Sequence, residues 1–185
     1  MGIKSKIISI LAAVFSKEIA VMLIAALPIF ELRLAIPLGM MKFGLPALKV
    51  YFLSLLGNML PVLPLLLFLK YSFHKLENIK FLGKFFKWWF KRVEKKSKIV
   101  EKWGFWGLIL FVAIPLPVTG AWTGTAAATL FKIRIRKAFL AILIGVAIAG
   151  IIVISLVNGA VKLLARYSML DTRYSILDAR CLGIL

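Results

Sequence analysis

Glu31 and Arg33 carry the most distinctive chemistry in the chain: an acid and a guanidinium interrupt an apolar block flanked by Glu18 and Lys42. A charge at the centre of a membrane-crossing helix costs about 2.5 to 3.5 kcal/mol on insertion scales, so two without partners would cost roughly 5 to 7 kcal/mol. Residues two apart on one helix point away from each other and do not pair directly. Either they sit in an unwound turn or each meets a partner elsewhere, and Pro28 and Pro37 bracket them as expected helix breaks. One reading is an internal ion pair that pins a hairpin tip. The other is a site in which Arg33 offers its planar fork to a phosphate or carboxylate while Glu31 takes up a proton or balances charge.

A second constellation, Pro115, Pro117, Thr119, Gly120, Trp122 and Thr123, is polar but uncharged. Its prolines and Gly120 break the helix, and Thr119 and Thr123 have hydroxyls that could bind an anion at an exposed half-helix end. Asn58 lies in an otherwise apolar stretch with Ser54, Gly57, Pro61 and Pro64. An amide in hydrocarbon needs a partner, and the tip around Glu31 is the expected one. The set proposed to bind substrate or protons is therefore Glu31, Arg33, Asn58, Thr119 and Thr123. His74 stands alone, and no zinc spacing, phosphate-cradling glycine loop or nucleophile elbow occurs, so no enzyme activity, metal or cofactor is expected.

The elements that must position these residues follow from the distribution of charge. Of 185 residues, 62% are hydrophobic, and 25 Lys and Arg against 7 Asp and Glu give a net +18 confined to a few stretches. Such a pattern belongs to an all-α integral membrane protein. Val50 to Leu69 and Ala138 to Val161 are uncharged and long enough to cross about 30 Å of hydrocarbon. Trp103 to Phe131 is too long for one straight crossing, at about 43 Å, and its prolines divide it into limbs of about 18 to 21 Å.

The order of interrupted block, clean span, basic loop, interrupted block and clean span predicts an inverted repeat of two re-entrant helical hairpins, each followed by a transmembrane helix. The divisions are an interfacial helix over 1–17, a first repeat over 18–69 (hairpin 19–41, span 46–69), a basic segment over 70–102, a second repeat over 103–161 (hairpin 103–131, span 138–161) and a low-complexity tail over 162–185. Four full crossings remain the alternative. With hairpins, fifteen basic residues from Lys70 to Lys137 lie on one face against seven up to Arg166 on the other, Arg33 at the hairpin tip not counted. That puts 70–102 and 132–137 in the cytoplasm, although the alternative also satisfies the positive-inside rule.

Lys80, Lys84, Lys87, Lys91, Lys95, Lys98 and Lys102 recur every three or four residues opposite Leu82, Phe85, Phe86, Trp89 and Val93, which predicts an amphipathic helix on an anionic leaflet. Membrane lipids are thus the expected partners, with no nucleic acid. So few crossing helices also point to a homodimer. The single Cys181 excludes an internal disulfide.

The runs Glu31-Leu-Arg-Leu-Ala-Ile-Pro-Leu-Gly39 with Gly57-Asn-Met-Leu-Pro61, and Phe111-Val-Ala-Ile-Pro-Leu-Pro-Val-Thr-Gly-Ala-Trp-Thr-Gly124 with Gly145, closely resemble the prokaryotic small multidrug export protein family. The resemblance covers roughly Glu18 to Val161. That family is distantly similar to the DedA or VTT superfamily, whose members have two re-entrant hairpins in inverted repeats and include lipid scramblases and flippases for an undecaprenyl phosphate carrier. The resemblance implies a multi-pass protein of the prokaryotic inner membrane. It also implies that Glu31 and Arg33 form the superfamily's membrane-embedded acidic and basic pair. A further arginine near the second hairpin is replaced here by Thr119, Trp122 and Thr123. The expected function is transport of an amphipathic, anionic or lipid-linked substrate with proton coupling; the alternatives are proton-coupled efflux of cationic drugs and a membrane adaptor that recruits partners through its basic helix.

Overall fold

A computed structural model describes residues 3–76, 93–94, 97–114 and 119–181. Its described elements are helical. After α1 (Ile3–Val14), Ser16 caps α2 (Lys17–Ala26) by accepting the Ile19 N–H at 3.4 Å. Leu27 ends α2 in an extended conformation, as the residue before a proline favours, and the chain turns over Leu27 to Phe30. The Phe30 and Glu31 N–H groups both donate to the Leu27 carbonyl, at 3.2 and 3.0 Å, closing the turn. Helix α3 (Glu31–Pro37) then packs back on α2 and runs into a π-helical turn, Leu38–Lys42.

Pro37, expected to be a break, lies inside helical structure. The wider π turn follows it directly, with Phe43 N–H donating to the Leu38 carbonyl at 3.0 Å, and such a change of pitch accommodates a ring that cannot donate. The first break is made by Pro28 alone.

Next come α4 (Ala47–Met59) and α5 (Val62–Leu76), separated by Leu60 and Pro61. Helix α6 (Lys98–Ala113) contains a sharp bend at Gly104, whose φ of 54° and ψ of −115° are left-handed backbone that glycine tolerates best. The bend folds the first turns of α6 back on the rest, so that a Cβ on Gly107 would meet the Ile99 carbonyl. The line drawn between a basic segment and a second repeat at 102 and 103 consequently falls within α6, and Lys98 and Lys102 belong to that helix. Lys80 to Lys91, Lys95, Pro115 and Pro117 lie outside the described residues.

Helix α7 (Ala121–Leu130) and the 47-residue α8 (Ile135–Cys181) are the last described elements. The segment read as a low-complexity tail continues α8 as far as Cys181.

Two helices, Ala47–Tyr71 of 25 residues and Ile135–Tyr167 of 33, are long and apolar enough to cross a bilayer. Their outward faces support that assignment: Phe52, Leu56, Leu60, Leu63 and Phe68 on one, and Ile144, Ile148 and Ile151 on the other, are exposed. An apolar surface this continuous would be a liability in water and is the normal exterior in lipid. Inside, α2 packs on α4 and α6 on α8. Each contact is made close by a glycine: a Cβ on Gly57 would run into the Met22 backbone, and one on Gly145 would meet the Val112 side chain and the Ile109 carbonyl.

Candidate functional site

The two breaks meet. Arg33, in the first turn of α3, donates from its terminal guanidinium nitrogen to the Thr119 hydroxyl at 3.2 Å. Thr119 in turn donates to the Ile114 carbonyl at 2.8 Å, the residue that ends α6. One hydroxyl thus closes an orphaned helix end and orients the charge from the opposite half of the chain.

Glu31 occupies the other side of the same contact. Its carboxylate lies directly on Gly120, where any Cβ would collide with both oxygens, and it accepts the backbone N–H of Trp122 in the first turn of α7. Amides at a helix N-terminus have no intrahelical acceptor and carry partial positive charge, so a carboxylate is well placed there. The opposite charges of Glu31 and Arg33 also act on each other across the tip. Glu31 is 8% exposed, which makes these partners necessary.

The backbone of Glu31 is itself unusual. Glu31 and Lys132 are the non-glycine residues with positive φ among those described, at 50° and 52°. An L side chain in the left-handed region costs on the order of 1 to 3 kcal/mol and persists where surrounding contacts enforce it. For Glu31 those contacts are the Leu27 turn on one side and Gly120 with Trp122 on the other.

Trp122 closes the arrangement from behind, its indole donating to the Ala26 carbonyl at the end of α2, at 3.2 Å. A role for Trp122 as clamp was missed by sequence reasoning, although an aromatic donor between two threonines in a break is a readable signal. Thr123 donates to the Gly120 carbonyl at 3.3 Å, within its own turn. Across the spans, Tyr51 donates to the Ala147 carbonyl at 3.1 Å.

Asn58 does not join this contact through any hydrogen bond. Its side chain is fully buried in α4, and neither its amide nor the Ser54 hydroxyl one turn earlier has a partner among the described residues. The expected bond from Asn58 to the first tip is not made. A Cβ on Gly57, the residue before Asn58, would strike the Met22 backbone, a close approach that fixes the helix face on which Asn58 stands.

The structure therefore brings Glu31, Arg33, Thr119 and Gly120 together, keeps Thr123 in the adjoining turn, and leaves Asn58 without a bond to them. No cluster of three or more metal-ligating side chains occurs among the described residues. No curated protein and no solved structure matches the chain. Residues 31–152, which contain Glu31, Arg33 and Thr119, match the family described as "Putative small multi-drug export protein". The chain belongs to that small multi-drug export protein family.

Proposed function

We propose that the chain is a multi-pass transporter or flippase that moves an amphipathic, anionic substrate through the point where the two breaks meet, with Arg33 binding the anionic group and Glu31 exchanging a proton. The observation that carries this reading is the Arg33 to Thr119 bond, which joins one guanidinium to the opposite break. A guanidinium presents a flat fork that matches phosphate and carboxylate oxygens, and the α7 N-terminus beside it adds favourable dipoles. Glu31 sits where charge balance changes on substrate entry.

The bilayer arrangement we propose is a pair of re-entrant hairpins in inverted repeats. Helices α2 and α7 have 10 residues each, and α3 with its π turn has 12, lengths of about 15 to 18 Å that reach half of a roughly 30 Å core. A register of 88 positions relates Gly57 to Gly145 and Glu31 to Thr119. Under that register the Gly57 contact with Met22 corresponds to the Gly145 contact with Ile109 and Val112. Corresponding tips that touch are what a pseudo-two-fold axis through the site would produce. The proposed location is the prokaryotic inner membrane, with 70–102 and 132–137 in the cytoplasm and a homodimer as the working assembly.

The family description favours a second reading, proton-coupled export of cationic compounds in which Glu31 alternates between proton and drug. Purified protein in proteoliposomes containing fluorescently labelled phosphatidylglycerol separates the two. Arg33→Ala and Glu31→Gln, each checked for a retained thermal transition, are expected to abolish movement of the labelled lipid between leaflets. Full activity in both variants would overturn the assigned roles. Sensitisation of Glu31→Gln cells to quaternary ammonium compounds, with normal lipid movement, would favour the second reading.

A further inference from the structure

A cavity of about 370 Å³ lies away from the breaks, between α5 and the junction of α7 with α8. Its lining divides by chemistry. Leu66, Leu130, Ile133 and Ile135 give an apolar floor, while Lys70, Lys132 and Arg134 stand exposed around it. No acidic residue is among the described residues of the lining, and the first turn of α8, which Ile135 opens, contains none. Among the described residues of the lining, then, no carboxylate offsets the three cations.

The placement fits a lipid. Lys70 directly follows the uncharged stretch Val50 to Leu69, and Lys132 and Arg134 precede the apolar run of α8, so all three belong at the boundary between hydrocarbon and water. Three cations over an apolar floor at that depth are complementary to one molecule with a phosphate above acyl chains. A soluble anion would have no use for the floor.

Lys132 supplies an independent indication. The Ile133 N–H donates to the Ala128 carbonyl at 2.9 Å and the Lys132 N–H to the Thr129 carbonyl at 3.1 Å, the two bonds of a Schellman ending of α7. Glycine ordinarily fills the left-handed position of that motif without strain, yet here lysine holds it at φ 52°. Local backbone preference argues against lysine, so the side chain has another use. We infer that this cavity binds the phosphate headgroup of an anionic phospholipid, held by Lys70, Lys132 and Arg134, with the acyl chains descending along Leu66 and Ile133.

The experiment uses the full chain in detergent micelles, titrated with short-chain phosphatidylglycerol, short-chain phosphatidylcholine and inorganic phosphate, with binding read by native mass spectrometry and by the thermal midpoint. Lys132→Gly is the informative variant, because it removes a cation while relieving the backbone, and should keep or raise the midpoint without lipid. It is expected to weaken phosphatidylglycerol binding about fivefold, and Lys132→Gly with Arg134→Gln about twenty-fivefold, whereas Lys137→Gln, which removes an exposed charge outside the cavity, should change it less than twofold. Equal affinity for the two lipids, equal protection by inorganic phosphate, or wild-type binding by the double variant would each overturn the assignment.

Discussion

Gly120→Ala probes the contact between the two breaks through a single methyl group. The added Cβ would collide with both carboxylate oxygens of Glu31, so the acid must move away from the Trp122 amide that it accepts. Overpacking of a closed site costs typically 1 to 3 kcal/mol, and losing a hydrogen bond to a charged group adds about 1.5 to 3 kcal/mol if the bond breaks outright. We expect a loss of about 2 to 4 kcal/mol in the otherwise unchanged protein. The backbone at Gly120, with φ 162° and ψ −166°, is extended and accepts alanine, so no dihedral strain enters the estimate. In a Glu31→Ala background the colliding atoms are gone. There the same substitution should be neutral or stabilise by up to about 0.4 to 1 kcal/mol through the restricted unfolded chain. The assay is a double-mutant cycle on thermal or denaturant unfolding in micelles, and the expected coupling is at least 2 kcal/mol. An equal cost of Gly120→Ala in both backgrounds would refute the claim that Glu31 rests on the second break.

Three further outcomes follow from neighbouring contacts. Thr119→Val keeps the shape but removes the acceptor for Arg33 and the donor for the Ile114 carbonyl, and should cost about 1 to 3 kcal/mol and reduce transport, whereas Thr119→Ser should retain most of both. Gly57→Ala drives a methyl into the Met22 backbone rather than a flexible side chain, and should destabilise by at least 1 to 3 kcal/mol in the same assay; a neutral result would mean that α2 and α4 are not so closely apposed. Lys49 donates to Glu18 at 2.8 Å and holds that exposed carboxyl below its ordinary value, chiefly through the hydrogen bond. The sign is that of a depressed acid: the small stabilisation is present at neutral pH and disappears as pH falls through the lowered pKa. Glu18→Gln should thus flatten the acid limb of the stability profile, more at low salt than at high, and an unchanged limb would contradict the pairing.

How far the sequence reveals the fold depends on what each signal measures. Charge-free length found the two helices long and apolar enough to cross a bilayer, because about 30 Å of hydrocarbon leaves few solutions. Pro28 marked a real break, since a proline bars helix in the residue before it, and Leu27 is extended accordingly. Pro37 looked equivalent and was not, because a change of pitch to a π turn absorbs a missing donor at low cost. The bend at Gly104 was invisible, as glycine permits left-handed backbone without announcing it.

At the site, composition pointed to Glu31 and Arg33 because buried charge needs partners. The partners themselves, Thr119, Gly120 and the Trp122 amide, are set by a contact between residues 86 or more positions apart, and no local pattern encodes that register. Asn58 shows the opposite failure. Its polarity correctly marked it as a residue needing a bond, but its position on α4 leaves that need unmet among the described residues.

The arrangement of the chain in the bilayer is tested most directly by cysteine accessibility in a Cys181→Ser background. With two hairpins, Gly44→Cys should react with a membrane-impermeant maleimide added outside intact cells, and Lys137→Cys should react only once the membrane is opened. Labelling of both from outside would mean four full crossings and would contradict the account.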